Sequence, residues 1–361
     1  MTRLWLHAGF HKTGTTAIQA FAAGNQRHLR RLGLFYPRYR RSLFRKDPAH
    51  HFLAHHAAGR AGSISASEAE GLLAQWERHA AALDSCVLLS AEPICRHLRG
   101  RSDSAEDEGT GHLAYLAYLS ELLKNFEVVP VLVIRRQDDF VRSFYQEAVA
   151  RGTSRSASMD FATFRRKIGA GRAQFLPVVE RFEAVFGQVR VLVYEDLCVD
   201  GLVPSFFREL GLDLEAASQT VVRQSLSVRQ TLIKRLLNPY IRDRAQNGRL
   251  IRWLSSSRIR SRLDCCIPEE PDLWRSTKER LRFLTSYQEE NTLLCERLGF
   301  EREHLFPPFD SESASPAVPC PPVAELVQIL MDLLALDRQG LRSAIGDQGM
   351  ERLMDRPEVR P

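Results

Sequence analysis

Nowhere in its 361 residues does the chain hold the roughly eighteen uninterrupted apolar residues that a bilayer-crossing helix needs. The amino terminus also lacks a signal-peptide core, because the apolar run from Leu4 to Ala8 meets Gly9 at once. Both absences lead to the expectation of a soluble, cytoplasmic protein with no transmembrane segment. Cysteine is sparse: seven residues with no C-x-x-C pair set aside a disulfide scaffold, and the odd number fits a reducing compartment. Neither sign of charge dominates. Fifty basic against 44 acidic residues leave +6, so the distribution of charge matters more than its total. No internal repeat is evident. What remains is an ordinary globular composition, long enough to bury a substantial core.

Hydrophobic periodicity divides the chain into short apolar strands and amphipathic helices. Strands are expected over 4–8, 86–90, 128–134 and 189–194. A helical pattern through Ile18, Phe21, Leu29 and Leu32 runs to Gly33, and further helices are expected over 68–83, 112–125, from Asp138 onward and over 174–186. Residues 36–56 read as a basic, histidine-rich connection and the acidic stretch 103–108 as an exposed turn. Such alternation predicts an α/β fold with an open, mainly parallel sheet flanked by helices. After Leu212 the strands stop. Residues 223–262 carry eleven Lys or Arg against the single acid Asp243, and helical patterning resumes over 274–298. The Pro- and Ser-rich stretch 307–322 reads as a linker before a last helix from Val323.

The first strand runs straight into Gly9-Phe10-His11-Lys12-Thr13-Gly14-Thr15-Thr16 and then a helix. A strand, a glycine-punctuated turn and a helix start together aim several backbone N–H groups at one anion. Gly9 and Gly14 have the spacing of the phosphate-binding loop G-x-x-x-x-G-K-[ST]. Thr15 stands where that loop has its lysine, and the nearest lysine is Lys12, inside the turn; Thr16 keeps the final hydroxyl. An ATPase or GTPase needs a cation reaching a γ-phosphate beside Mg²⁺, so the displaced lysine suits a shorter or differently terminated phosphate chain.

His11-Lys12-Thr13-Gly14-Thr15-Thr16, followed by Ile18-Gln19 and Asn25, resembles the 5′-phosphosulfate loop of sulfotransferases that use 3′-phosphoadenosine 5′-phosphosulfate (PAPS). The likeness is to the bacterial and carbohydrate-modifying branches, and Gly33-Leu34-Phe35-Tyr36-Pro37 is similar to a segment of bacterial members. The resemblance implies that Lys12 contacts the sulfate-bearing end of the donor and steadies the leaving oxygen. It places His11, Thr13 and Gly14 in the same loop and has Thr15 and Thr16 donate to the 5′-phosphate. It also implies a 3′-phosphate element of a strand-terminal arginine and a serine eight residues on, here Arg135 and Ser143. The chain departs from the family at Gln137, where a proline is common. Arginine's planar fork and a serine hydroxyl suit phosphate oxygens on their own chemistry.

Sulfuryl transfer needs a deprotonated acceptor and a stabilised leaving oxygen, nearly in line. Glu92 follows the strand that ends at Ser90, at the carboxyl edge where open α/β sheets place their sites. Ser90-Ala91-Glu92 resembles the Ser-Ser-Glu of bacterial members, and Glu92 leads as base, with His11 and His7 as rivals. The bland role of His7 is a hydrogen-bonded core residue. His55 and His56 are expected on a loop near the acceptor. Histidines 50, 51, 55 and 56 gain no carboxylate or cysteine cluster, and no metal is expected. Glu195-Asp196 is similar to a family Tyr-Glu-Asp-Leu stretch and is read as closing its strand.

The expected organisation is a sulfotransferase-like α/β domain over 1–306, with 213–270 as a mainly helical basic insertion, a linker over 307–322 and a helical appendage over 323–361. PAPS would be the donor and 3′-phosphoadenosine 5′-phosphate (PAP) the product, without a metal. The acceptor would be a hydroxyl or amine of a saccharide, glycolipid or small metabolite, and the basic stretch suits an anionic one. No nucleic-acid motif accompanies the charge. Two alternatives stay open: an ATP-dependent phosphotransferase and a non-catalytic nucleotide-binding protein.

Overall fold

Five short segments form one sheet in which every pairing is parallel: β1 (Thr2–His7), β2 (Leu34–Phe35), β5 (Cys86–Ser90), β6 (Phe126–Ile134) and β7 (Arg190–Val193), in the order β2-β5-β1-β6-β7. The computed structural model describes residues 1–10, 12–42, 45–46, 48–61, 63–99, 105–152, 154–214, 226–309 and 318–355. Two compact units divide it. The first comprises Met1–Arg136, Gln174–Val222 and Glu289–Pro307, and the second Gln137–Ala173, Arg223–Gln288 and Pro308–Pro361. The sheet lies wholly in the first unit. Parallel strands covered on both faces read as near-continuous apolar runs, and Leu4 to Leu6, Val87 to Leu89 and Val131 to Ile134 are all buried.

Along β1, alternation sets Trp5 and His7 on one face. Trp5 joins the core with Ile18, Ala22 and Ala23 of α1 (Thr15–Gly24), Leu29 of α2 (Gln26–Arg31), and Phe206 and Phe207 of the helix Leu202–Glu209. Each of the larger ones, such as Ile18, Leu29, Phe206 and Phe207, contributes about 1.5–3 kcal/mol relative to exposure. The helical pattern expected to run to Gly33 is broken at Asn25, whose backbone N–H and side-chain Nδ2 both bond Phe21 O at 2.9 Å. The connection after Tyr36 contains a small antiparallel pair, β3 (Arg40–Ser42) with β4 (Arg45–Lys46), and then α3 (His51–Ala57). α4 (Ala66–Ala82) starts at Ser65, whose hydroxyl caps Glu68 N at 3.2 Å. Of the acidic stretch 103–108, expected in a turn, Glu106, Asp107 and Glu108 belong to the first turn of α5 (Ala105–Leu122), and Asp103 lies outside the described residues.

Helices are the only regular elements among the described residues of the second unit. α6 (Gln137–Arg151) has Asp138 and Asp139 in its first turn, both paired with Arg280, at 2.5 and 3.1 Å. Tyr145 meets Phe161 and Phe164, and Trp274 meets Phe161 and Phe283, in an aromatic core. Helix Val228–Leu237 begins with a Ser227/Gln230 capping box, and Asp243 and Ser276 cap helices Arg244–Leu254 and Thr277–Thr285. The long helix Val323–Ile345 breaks at Asp337, where Oδ1 accepts from Gly340 N and Oδ2 from Trp253 Nε1, each at 3.0 Å. The helical patterning of 274–298 resolves into two helices, Thr277–Thr285 and Gln288–Arg297.

Candidate functional site

In this sheet β1 lies between β5 and β6. The chain runs to β2 and β5 on one side of it before crossing to β6 and β7 on the other. Open α/β sheets bind ligands beyond the carboxyl ends of their strands at such a reversal, and the glycine loop leaves β1 there. Its backbone continues the pairing along β6, with Ala8 N to Val131 O at 2.9 Å and Phe10 N to Val133 O at 3.2 Å. Lys12 takes the left-handed conformation at φ 63°, uncommon for a residue with a side chain and a form of strain found at functional turns. Gly14 follows at φ 75°, where a methyl would meet Leu202 Cδ2 at 2.0 Å. Gly14 is also the N-cap of α1, and no side chain caps that terminus. Positive partial charge therefore stands at the loop's exit.

Gly9 matters for the space it leaves. A Cβ there would sit 2.4 Å from Thr15 Oγ1, 3.0 Å from Thr13 Oγ1 and 3.1 Å from His7 Nε2. Three polar atoms thus converge over one bare α-carbon. Thr13 Oγ1 donates to Phe10 O at 2.7 Å. His7 Nε2 and Thr15 Oγ1 are buried and have no hydrogen-bond partner among the described residues, a costly state for groups that would otherwise face water. Thr16, the next helical residue, is exposed. His11 lies outside the described residues.

Parallel register explains what lies beneath the loop. His7 of β1 pairs with Ser90 of β5, so their side chains emerge on the same face, and His7 Nδ1 is 2.9 Å from Ser90 Oγ. Gln19, one turn into α1, reaches both Ser90 Oγ at 3.1 Å and Ser90 O at 3.3 Å through Nε2. Burial pushes the His7 imidazole down to about 3 against the opposing pull of Glu92. His7 is therefore the hydrogen-bonded core residue of the bland expectation through one ring nitrogen, while the other faces the loop.

Glu92 opens a short 3₁₀ turn, Glu92–Cys95, directly after β5, and pairs loosely with Arg96 at 4.0 Å. Its charge is felt by His7 and Cys95, whose thiol is pushed up by burial and then by Glu92. On the other side of β1, Arg135 follows β6 and donates from Nη1 to Lys12 O at 3.2 Å. The two expected donor-binding cations are thus joined through the loop backbone. Arg135 also lies over the Tyr194 ring at 4.8 Å and 4.0 Å from Glu195 Oε1. Glu195 accepts from Arg136 N at 3.1 Å, and burial raises its carboxyl above the usual range. So Glu195 closes the strand and also steadies Arg135. Ser143 lies on α6, in the other compact unit.

His55 and His56 are helical, in α3, and not on a loop as expected. His56 donates from Nδ1 to Ile64 O at 2.8 Å. Arg60 donates to His97 Nδ1 at 3.3 Å, and His97 Nε2 lies 2.9 Å from His55 Nδ1. A guanidinium only donates, so His97 carries its proton on Nε2 and passes it toward His55. Burial first and Arg60 second hold His97 neutral, at about 3. Among the described residues no group of three His, Cys, Asp or Glu is placed to share a metal ion, and no helix is long and apolar enough to cross a membrane.

The sequence motifs contain Gln19 and Ser90 but give them no role, and they do not include Arg60 or His97. The available signal was a histidine ending an otherwise apolar strand two residues before a glycine. No family model matches the chain, and no curated protein matches it. Among solved structures, a sulfotransferase from Alicyclobacillus acidocaldarius is similar, with 13% identity and a TM-score of 0.36 over 64% of this chain and 90% of that one. At that level the likeness carries no argument about activity.

Proposed function

We propose that the chain is a PAPS-dependent sulfotransferase whose glycine loop holds the 5′-phosphosulfate of the donor. The observation that carries this reading is the convergence of the unpartnered His7 Nε2 and Thr15 Oγ1 over Gly9, beside an uncapped helix N-terminus. Such a cradle suits a tetrahedral anion. The missing lysine before Thr16 and the left-handed Lys12 favour a phosphosulfate over a triphosphate held with Mg²⁺.

The donor, when bound, supplies an activated sulfuryl group on a phosphate leaving group. Lys12 is assigned to the charge that gathers on the leaving oxygen, with Thr13, Gly14, Thr15, Thr16 and His11 around the phosphate. Arg135 fixes the Lys12 carbonyl and so the turn that presents the lysine. Arg135 is assigned to the 3′-phosphate, and Glu92, beyond β5, is assigned to take the acceptor's proton. The acceptor is a hydroxyl or amine of a saccharide, glycolipid or small metabolite.

Calorimetric titration with PAP and with ATP, on the natural chain and on Lys12→Ala, tests the reading. Tight PAP binding that Lys12→Ala weakens, without a preference for ATP, is the expected result. Indifference to both nucleotides, or preference for ATP with Mg²⁺, overturns it.

A further inference from the structure

Beneath the loop the hydrogen-bond directions can be assigned from chemistry alone. Gln19 Nε2 stands within bonding distance of a carbonyl oxygen, Ser90 O, which only accepts. That fixes the orientation of the Gln19 amide, so the same nitrogen donates to Ser90 Oγ. A serine hydroxyl has one proton to give, and among the described residues Ser90 Oγ meets only Gln19 and His7. Its proton goes to His7 Nδ1. A neutral imidazole that accepts at Nδ1 carries its hydrogen on Nε2, the buried atom that has no partner among the described residues and lies 3.1 Å from the position a Cβ of residue 9 would take. The opposite tautomer would leave the Ser90 proton without an acceptor and aim a lone pair at an anion cradle.

We infer that His7 is a ligand-binding residue, a neutral Nε2–H donor to the phosphoryl oxygen seated over Gly9, and that Ser90 and Gln19 are the positioning residues that fix its tautomer. This deepens the phosphate-cradle reading and rests on it. Strand register is the reason the device works. His7 and Ser90 are Cα partners across β1 and β5, and Gln19 is delivered by the helix the same loop nucleates. A protonated imidazole is excluded by burial, which keeps the ring neutral. The donor is therefore a dipole, able to accept the charge that builds on a leaving phosphate without adding a cation of its own. Triosephosphate isomerase, a general example of the principle, uses a neutral histidine in the same electrical sense.

Two measurements test it separately. Nitrogen-15 imidazole NMR of the ligand-free chain at neutral pH is expected to show His7 with a protonated Nε2 and a bare Nδ1. Ser90→Ala is expected to lose that preference and Ser90→Thr to keep it. A protonated Nδ1 in the natural chain, or an unaltered tautomer in Ser90→Ala, overturns the assignment. Adding PAP, or inorganic pyrophosphate as a plain anion, is expected to move the Nε2–H resonance. In calorimetry, His7→Phe is expected to lower PAP affinity roughly ten- to a hundredfold, the worth of one bond to a charged group. If the natural chain binds PAP and neither the resonance nor the His7→Phe affinity responds, the inference fails while the proposed function stands. If pyrophosphate moves the resonance and PAP does not bind, the His7 donor stands and the proposed function fails.

Discussion

All eleven histidines of the chain fall in the unit built on the parallel sheet, and the helical unit, which has none, buries a lysine instead. Lys234 is fully buried, and its ammonium is spoken for: Nζ bonds Asn238 Oδ1 and Val149 O near the carboxyl end of α6. Arg229 likewise serves Asp264, Glu270 and the carbonyls of Ile267 and Pro268. In the sheet unit, His7 Nε2 and Thr15 Oγ1 are buried over Gly9 without a hydrogen-bond partner among the described residues; in the helical unit Asn247 Oδ1 is likewise unpartnered over Gly152, beside the mutually bonded Lys234 and Asn238. The contrast separates two uses of polar groups. Lys234 keeps protein partners yet still carries the desolvation cost that lowers it to about 7, whereas His7 Nε2 and Thr15 Oγ1 have no such partner among the described residues, the state that the proposed phosphate would relieve. Positive charge is dense over 223–262, yet Arg229 and Lys234 of that stretch are held in internal contacts.

The largest expected effect is on chemistry. Glu92→Gln should cut turnover by about 10²–10⁴, the usual worth of a general base, while PAP affinity stays within twofold by calorimetry. Full turnover would remove Glu92 as base. Next comes Gly9→Ala, which places a methyl 2.4 Å from the β-branched Thr15 hydroxyl. Thr15 cannot yield cheaply, so PAP affinity should fall about a hundredfold, roughly 2–3 kcal/mol. Unaltered affinity would show that the convergence over Gly9 is not the anion seat.

Acid sharpens the comparison, because the two units titrate in different windows. His7, His97 and His112 are held neutral in the folded state, at about 3, about 3 and about 4, burial being the main cause for each. Below about 6.5 the unfolded chain takes up these protons and the folded chain does not. Stability present above that pH is therefore lost as pH falls toward 4, by about 1.4 kcal/mol per unit for each imidazole. Lys234, lowered by burial to about 7, has the same sign in a higher window: its contribution is lost between about 10.4 and 7, and is flat below. In denaturant titrations across pH, His112→Gln should reduce the slope between pH 6.5 and 5 by close to one proton. Lys234→Met should flatten only the slope above pH 7. A variant that altered the other window would break the division.

Much of the fold was legible because local pattern sufficed. The strand over 86–90 and the helix start at Val323 coincide with the observed bounds, and short apolar strands alternating with helices gave the parallel sheet. The break at Asn25 was hidden, since the apolar residues on either side keep helical spacing while a side-chain bond to Phe21 O interrupts the turn. Acidic residues near position 105 looked like a surface turn, yet carboxylates favour a helix's first turn. The loop lysine and Arg135 were both singled out, but their contact through the Lys12 carbonyl spans 123 residues of sequence. The roles of Ser90 and Gln19 depend on strand register, which sequence does not carry.

The smallest expected effect bears on the basic stretch. Arg262 meets Asp332 at 2.8 Å with both side chains substantially exposed, 45% and 33%. An exposed pair of this kind is screened by solvent and spends side-chain entropy to form, so it contributes little. Arg262→Ala should therefore change the denaturation midpoint marginally. If the helical unit's charge is structural, PAP affinity and its dependence on salt should also be unchanged in this variant. If instead the stretch draws anions toward the protein, removing even an exposed cation should lower the association rate at low ionic strength and leave it unaltered at high salt. Stopped-flow binding at two salt concentrations distinguishes these. A salt-dependent loss in Arg262→Ala would show that the basic stretch attracts anions and is not scaffold alone.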